Sequence, residues 1–324
     1  MPLAVVCLAL GGCAAPATSH AQQRTTATPV PTAASYDRPT ASAGCGKPTL
    51  VQPDTSADVT ITADPAISNG QTTRLYRIHV PAGYEANTPM PVILVFHGYG
   101  GTAADGDARS GFTPLAEREG FIAVYPQGLL ENGKPFWASA GPVDEGIDET
   151  PFVTHVLDDV QRHYCVDARR IFATGFSNGG GMTNFLACRL AGRIAAFAPA
   201  SGNYYALPGG CHPSRPVPLV VFHGTADGTV PYDGIPAYES PDWPLPSIPE
   251  YLHDWAVRDG CTAGPSVFLS SGGVTGERWT GCGGSATVVH YRVEGGRHSL
   301  PGSVGGTSAQ ETIWDFFVAH PLPA

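Results

Sequence analysis

A serine hydroxyl, a carboxylate and an imidazole can together cleave an acyl bond, and this chain carries a candidate for each in a glycine-rich turn. Ser177 lies in ATGFSNGGGM, Ala173 to Met182, where Gly175-Phe176-Ser177-Asn178-Gly179 forms G-x-S-x-G, the turn that presents a nucleophilic serine between a strand and a helix. Glycines of this kind also cradle phosphates, but that use needs G-x-x-x-x-G-K-[S/T]. Here Met182 and Thr183 follow with no basic residue, and the G-x-G-x-x-G spacing of dinucleotide sites is absent from the stretch. Downstream stand Asp227, in His223-Gly224-Thr225-Ala226-Asp227, and His298, in Glu294-Gly295-Gly296-Arg297-His298. A serine is a weak nucleophile until a base takes its proton, and a histidine does this best when a carboxylate fixes its tautomer and stabilises its charged form. The chain order Ser177, Asp227, His298 is one in which such triads occur.

Acyl transfer also needs donors aimed at the developing oxyanion. The backbone N–H of Asn178, directly after the nucleophile, supplies one, and the loop His97-Gly98-Tyr99-Gly100-Gly101 supplies the other through Tyr99. His97 and His223 have no proton transfer to perform and are read as structural. Asp233, Asp242 and Asp254 are the fallback acids, and Asp-Gly pairs such as Asp227-Gly228 also suit plain turns.

These residues need elements to position them. Val92 to Phe96 is a continuous apolar run ending at His97, and further runs span Arg74 to Val80, Phe121 to Tyr125, Arg170 to Thr174, Ile194 to Ala198, Val217 to Phe222 and Thr287 to Val293. Such runs suit strands covered on both faces of a parallel sheet. Helical patterns lie between them. One has Thr150 as N-cap, Pro151 at the first helical position, and Phe152, Val153, Val156, Leu157 and Val160 along one face. The last opens with the capping box Ser308-Ala309-Gln310-Glu311 and stops before Pro321. The alternation predicts an α/β fold, a mostly parallel sheet with helices on both faces. In such sheets function gathers at the carboxyl ends of strands, where His97, Ser177, Asp227 and His298 all fall.

The segments VILVFHGYGG, RRIFATGFSNGGGM, LVVFHGTADGTVPY and VEGGRHSLPG, in that order, resemble those of the secreted esterases of the feruloyl esterase and polyhydroxybutyrate depolymerase group, which is carbohydrate esterase family one-like. The similarity runs from about Cys45 to the final helix. It implies an α/β-hydrolase fold in a single catalytic domain, with Ser177 as nucleophile, Asp227 as acid and His298 as base, and an acyl-enzyme route without metal or organic cofactor. Implied substrates are hydroxycinnamate esters of polysaccharide or 3-hydroxybutyrate oligomers. Acetylated xylan, acyl transfer on the same triad, and a non-catalytic surface-tethered binding protein are the alternatives. Members often carry a tryptophan shortly after the catalytic histidine, where this chain has Leu300. Trp137 resembles a cleft tryptophan of the group and is the candidate substrate-binding aromatic.

The remaining composition bounds the setting. A chain of 324 residues, 42% hydrophobic, can bury one large core. Only 14% of residues are charged, the formal net charge is −10, and no run of Lys or Arg occurs, which argues against a nucleic-acid partner and for a neutral or weakly charged substrate. Residues 1–21 read as a signal segment. Leu10-Gly11-Gly12-Cys13 resembles a lipobox, which would make Cys13 a lipidated membrane tether, and Ser19-His20-Ala21 offers an ordinary cleavage site for a secreted protein. Residues 22–44, rich in Ala, Thr and Pro, read as a flexible linker, and 45–324 as the catalytic domain. Cys45, Cys165, Cys188, Cys211, Cys261 and Cys282 make an even set without a C-x-x-C pair, which points to three disulfides in an oxidising compartment, with Cys261 and Cys282 the first pair to test.

Overall fold

The computed structural model describes residues 38–138 and 147–324. The signal segment, Cys13 and most of the linker lie outside the described residues. Every strand expected from an apolar run is present: β2 (Thr73–Val80), β3 (Met90–Phe96), β4 (Ile122–Pro126), β7 (Val166–Phe176), β8 (Ala196–Ala200), β9 (Leu219–Gly224) and β12 (Val288–Val293). Three more join them in the main sheet: β1 (Thr55–Thr62), β10 (Ala263–Ser271) and β11 (Val274–Thr280). The ten strands run β1-β2-β4-β3-β7-β8-β9-β12-β11-β10. The six central strands, β4 to β12, pair in parallel, while β1 and β2 on one side and β11 and β10 on the other are antiparallel. Two short hairpins complete the strands, β5 (Leu129–Glu131) with β6 (Lys134–Phe136), and β13 (Ser303–Val304) with β14 (Thr307–Ser308).

The apolar runs are continuous because the central strands are covered twice. All seven residues of β3 are buried, and they alternate between two cores: Val92, Leu94 and Phe96 face one, Ile93 and Val95 the other. The first core is closed by α3 (Thr150–His163), α4 (Asn178–Arg189) and α5 (Ile248–Arg258). The second is closed by α1 (Ala103–Arg109), α2 (Phe112–Glu119) and α6 (Ala309–Val318). The face of α3 named from its spacing is the buried one, and Ser308 and Glu311 make both bonds of the capping box on α6. The N-cap of α3 is Glu149, one residue before Thr150. Glu149 is fixed there by a fully buried ion pair with Arg74 at 2.6 Å, so its side chain does not cap.

The folded region starts earlier than Cys45. The N–H of Thr40 donates to Asp167 Oδ1 at 3.0 Å, that of Ser42 to the Val166 carbonyl at 2.9 Å, and that of Gly44 to the Gln161 carbonyl at 2.8 Å. Gly44 passes so close to the Tyr164 backbone that a Cβ would collide with it, and Cys45 is bonded to Cys165. Three disulfides are present among the described residues, Cys45–Cys165, Cys188–Cys211 and Cys261–Cys282. The first spans 120 residues and ties the chain entry to the start of β7.

A cross-link over that span restricts the unfolded chain more than the two short ones do. Replacing Cys45 and Cys165 together by serine is expected to lower unfolding stability by about 2–5 kcal/mol, read from urea midpoints. An unchanged midpoint would show that the bridge contributes nothing.

Candidate active site

Ser177 stands at the junction of β7 and α4 with φ 57° and ψ −123°, in the positive-φ region that side chains rarely adopt. Two absent side chains allow the turn. A Cβ on Gly175 would collide with the Gly179 carbonyl, and a Cβ on Gly179 would collide with the carbonyl oxygens of Phe96 and His97. The Ser177 N–H donates to the Ala200 carbonyl at 2.9 Å, anchoring the turn to the end of β8.

The loops after β9 and β12 bring the other two groups to this serine. Thr225 N–H donates to the Val293 carbonyl and Ala226 N–H to the Gly296 carbonyl, both at 2.9 Å, while Gly295 N–H donates to Thr225 Oγ1 at 2.8 Å. Gly224 lacks the Cβ that would strike Gly296. On this base His298 Nδ1 lies 2.8 Å from Asp227 Oδ2, and His298 Nε2 lies 2.8 Å from Ser177 Oγ. A carboxylate can only accept, so Nδ1 carries the proton and Nε2 is left to accept from the serine hydroxyl. The His298 ring is half-buried against Phe176, with centroids 4.8 Å apart. Asp233, Asp242 and Asp254 do not take the place of Asp227.

The Asp227 side chain is shut off from solvent. Burial pushes its pKa up, but N–H bonds from Val230 and Thr229 to Oδ1, both at 2.9 Å, and the bond from His298 together outweigh this, holding the carboxyl below its usual range. Asp227 is therefore ionised from the usual carboxylate range upward. His223 lies beneath it, donating from Nε2 to the Val230 carbonyl at 2.9 Å, and burial lowers its pKa so that it stays neutral. His97 is likewise kept neutral by burial, donating from Nδ1 to the Gly98 carbonyl and accepting at Nε2 from Gly128 N–H. Both histidines shape loops, as their strand-end positions suggest.

The loop after β3 passes beside the serine: a Cβ on Gly98 would lie 3.3 Å from the Ser177 Cβ. Gly100 N–H donates to the Pro135 carbonyl and Gly101 N–H to the Gly98 carbonyl, whereas the N–H groups of Tyr99 and Asn178 have no acceptor among the described residues. The Tyr99 side chain is itself half exposed.

Trp137 does not line an open cleft. It is completely buried, with its ring edge-on to Phe96 and 5.0 Å from His97, and its indole N–H donates to the His97 carbonyl at 2.9 Å. Its ring has no free face to offer a substrate. Leu300, where an aromatic was missing, packs on the second core. Residues 238–247 form a proline-rich loop, which ends where Ser247 and Glu250 form a capping box that starts α5 at Ile248. With Tyr204 and Tyr205 this loop lines a cavity of about 490 Å³, and none of Ser177, Asp227 or His298 borders it.

Residues 74–228 match the family model described as Esterase PHB depolymerase. Feruloyl esterase D of Neurospora crassa is 30% identical over 301 residues, covering 85% of this chain and 89% of that one. The chain belongs to the feruloyl esterase and polyhydroxybutyrate depolymerase family, a family of carboxylic ester hydrolases. Feruloyl esterase B of Piromyces equi is 29% identical over 252 residues, covering 76% of this chain, which spans only 45% of the length of that relative. Among solved structures, an acetyl xylan esterase from Aspergillus awamori, 17% identical, superposes with a TM-score of 0.56 over 81% of this chain and 99% of its own. That likeness identifies the sheet and its helices as the α/β-hydrolase fold in one domain.

A carboxyl held below its usual pKa contributes stability that is present above the ordinary value of about 4 and is lost as pH falls through the lower folded value. Wild-type urea midpoints are therefore expected to rise with pH across this acid range more steeply than those of Asp227→Asn. Parallel profiles would contradict the charge assigned to Asp227.

Proposed function

We propose that the protein is an exported serine esterase that works through Ser177, His298 and Asp227. The observation that carries this reading is the unbroken pair of 2.8 Å contacts from Asp227 through His298 to the Ser177 hydroxyl. As Ser177 Oγ attacks the ester carbonyl carbon, His298 Nε2 takes its proton and Asp227 stabilises the resulting imidazolium. The carbonyl oxygen becomes an oxyanion and accepts from the N–H groups of Asn178 and Tyr99. Collapse of this intermediate breaks the bond to the alcohol oxygen, which leaves with the proton held by His298. A water then repeats the sequence on the acyl-enzyme: His298 takes its proton, the hydroxide oxygen bonds to the acyl carbon, and Ser177 leaves reprotonated. No step calls for a metal or organic cofactor.

The substrate class that agrees best with the relatives is a feruloyl or related hydroxycinnamoyl ester on polysaccharide, with 3-hydroxybutyrate oligomers next. An acidic chain poor in charge suits such neutral esters. Three disulfides support export to an oxidising compartment. We assign residues 1–21 to the export signal, with Cys13 as a tether where it is lipidated, and the residues preceding Thr40 to a linker.

The test is turnover of methyl ferulate, a 3-hydroxybutyrate trimer and acetylated xylan at equal concentration, with Ser177→Ala beside the wild type. The wild type is expected to prefer methyl ferulate, and the alanine variant to lose at least about 10⁴-fold in kcat while unfolding at an unchanged temperature. An active alanine variant would overturn the nucleophile, and preference for the trimer or the acetylated xylan would overturn the substrate.

A further inference from the structure

Trp137 is buried away from solvent, yet it touches both backbone segments whose N–H groups, those of Tyr99 and Asn178, have no acceptor among the described residues. Its indole N–H holds the His97 carbonyl at 2.9 Å, two residues before Tyr99. Its backbone N–H donates to Asn178 Oδ1 at 2.7 Å, and its carbonyl accepts from Asn178 Nδ2 at 3.1 Å. The Asn178 amide is thereby spent on one partner, and the orientation of its O and N follows from those two bonds. Phe96 and His97 pack against the indole ring, and the His97 ring is fixed in turn by Gly98 and Gly128.

We infer that Trp137 is a positioning residue for the oxyanion site, clamping the loop after β3 to the first residue of α4. This rests on the esterase reading of Ser177. Donors stabilise a transition state only where they already point at the place the oxyanion will occupy, since reorienting them during reaction would consume what they contribute. The amide of Tyr99, on the loop after β3, and that of Asn178, at the start of α4, need a part common to both, and Trp137 is bonded to each of these segments. The Asn178 side chain gives its identity a purpose beyond the backbone N–H: serine or alanine at that position would keep the donor but lose the clamp. The two bonds to Asn178 come from the backbone of residue 137, and the bond to the His97 carbonyl is the one that requires the indole N–H.

The experiment compares wild type, Trp137→Phe and Asn178→Ala in full-length protein, using a soluble activated ester and phenylboronic acid. The boronic acid adds Ser177 Oγ to boron, the serine proton passes to His298, and one boron oxygen occupies the oxyanion position, so its inhibition constant reports on the donors. Trp137→Phe keeps an aromatic ring of smaller size and loses the indole N–H, while Asn178→Ala keeps the backbone N–H and loses both side-chain bonds. Each is expected to lower kcat by about 10–100-fold with KM unchanged, and to weaken boronate inhibition by a similar factor. A purely structural role would lower the melting temperature while kcat per folded molecule and boronate inhibition stay at wild-type values, and that result would overturn the inference. Asn178→Ala keeps the test decisive where Trp137→Phe fails to fold. A wild type that neither turns over the ester nor binds the boronate would remove the triad reading, and this inference with it.

Discussion

The rest of the structure depends on one backbone constraint: Ser177 must hold a positive φ at the end of β7 so that its hydroxyl projects beyond the sheet. A non-glycine residue in that region costs about 1–3 kcal/mol and persists only where its surroundings over-determine it. Here they do so from three sides. Ala200 accepts the Ser177 N–H, the Gly179 backbone lies against the carbonyls of Phe96 and His97, and α4 is buried along most of its length. Gly175, Gly179 and Gly180 are thus sites where neighbouring backbone occupies the space a side chain would need.

The same economy of contact governs the partner groups. Asp227 and His298 come from loops tied by backbone bonds that do not involve their side chains, so the carboxylate and imidazole meet in a frame that exists independently of the serine. Asp227 then has one oxygen saturated by backbone N–H groups and the other turned to His298, which keeps its charge and aims it. A parallel sheet suits this arrangement because it delivers β3, β7, β9 and β12 with their carboxyl ends at one edge.

The core strands and the meeting of Ser177, Asp227 and His298 were legible in the sequence for related reasons. Strands such as β3 and β9, buried on both faces, leave continuous apolar runs, and a chemistry that needs small residues at fixed offsets leaves G-x-S-x-G. The edges were not. In β1 only Ala57, Val59 and Ile61 pack on the core and the other residues are polar, and β10 is exposed along nearly its whole length, so neither produces an apolar run. Residues 40–44 read as linker because their attachment to Asp167, Val166 and Gln161 runs through backbone N–H groups and a hydroxyl, which composition does not record. Three disulfides followed from an even cysteine count, and the nearest pair, Cys261 and Cys282, is joined, but Cys45 and Cys165 stand 120 residues apart and only the fold brings them together. Trp137 reads from the sequence as a substrate-binding aromatic but is buried in the fold, since a ring's exposure depends on Phe96 and His97 arriving from a strand 40 residues earlier. A substrate pocket has no comparable signature, because loops of many compositions can wall one.

The central claim is that Ser177 is a nucleophile activated by His298. It is tested most directly by treating the folded protein with a fluorophosphonate and mapping the adduct by peptide mass spectrometry. The account predicts one adduct per chain, on the peptide carrying Ser177, with a labelling rate that collapses in His298→Ala. An unlabelled protein, an adduct on another residue, or undiminished labelling of Ser177 in the His298 variant would contradict it.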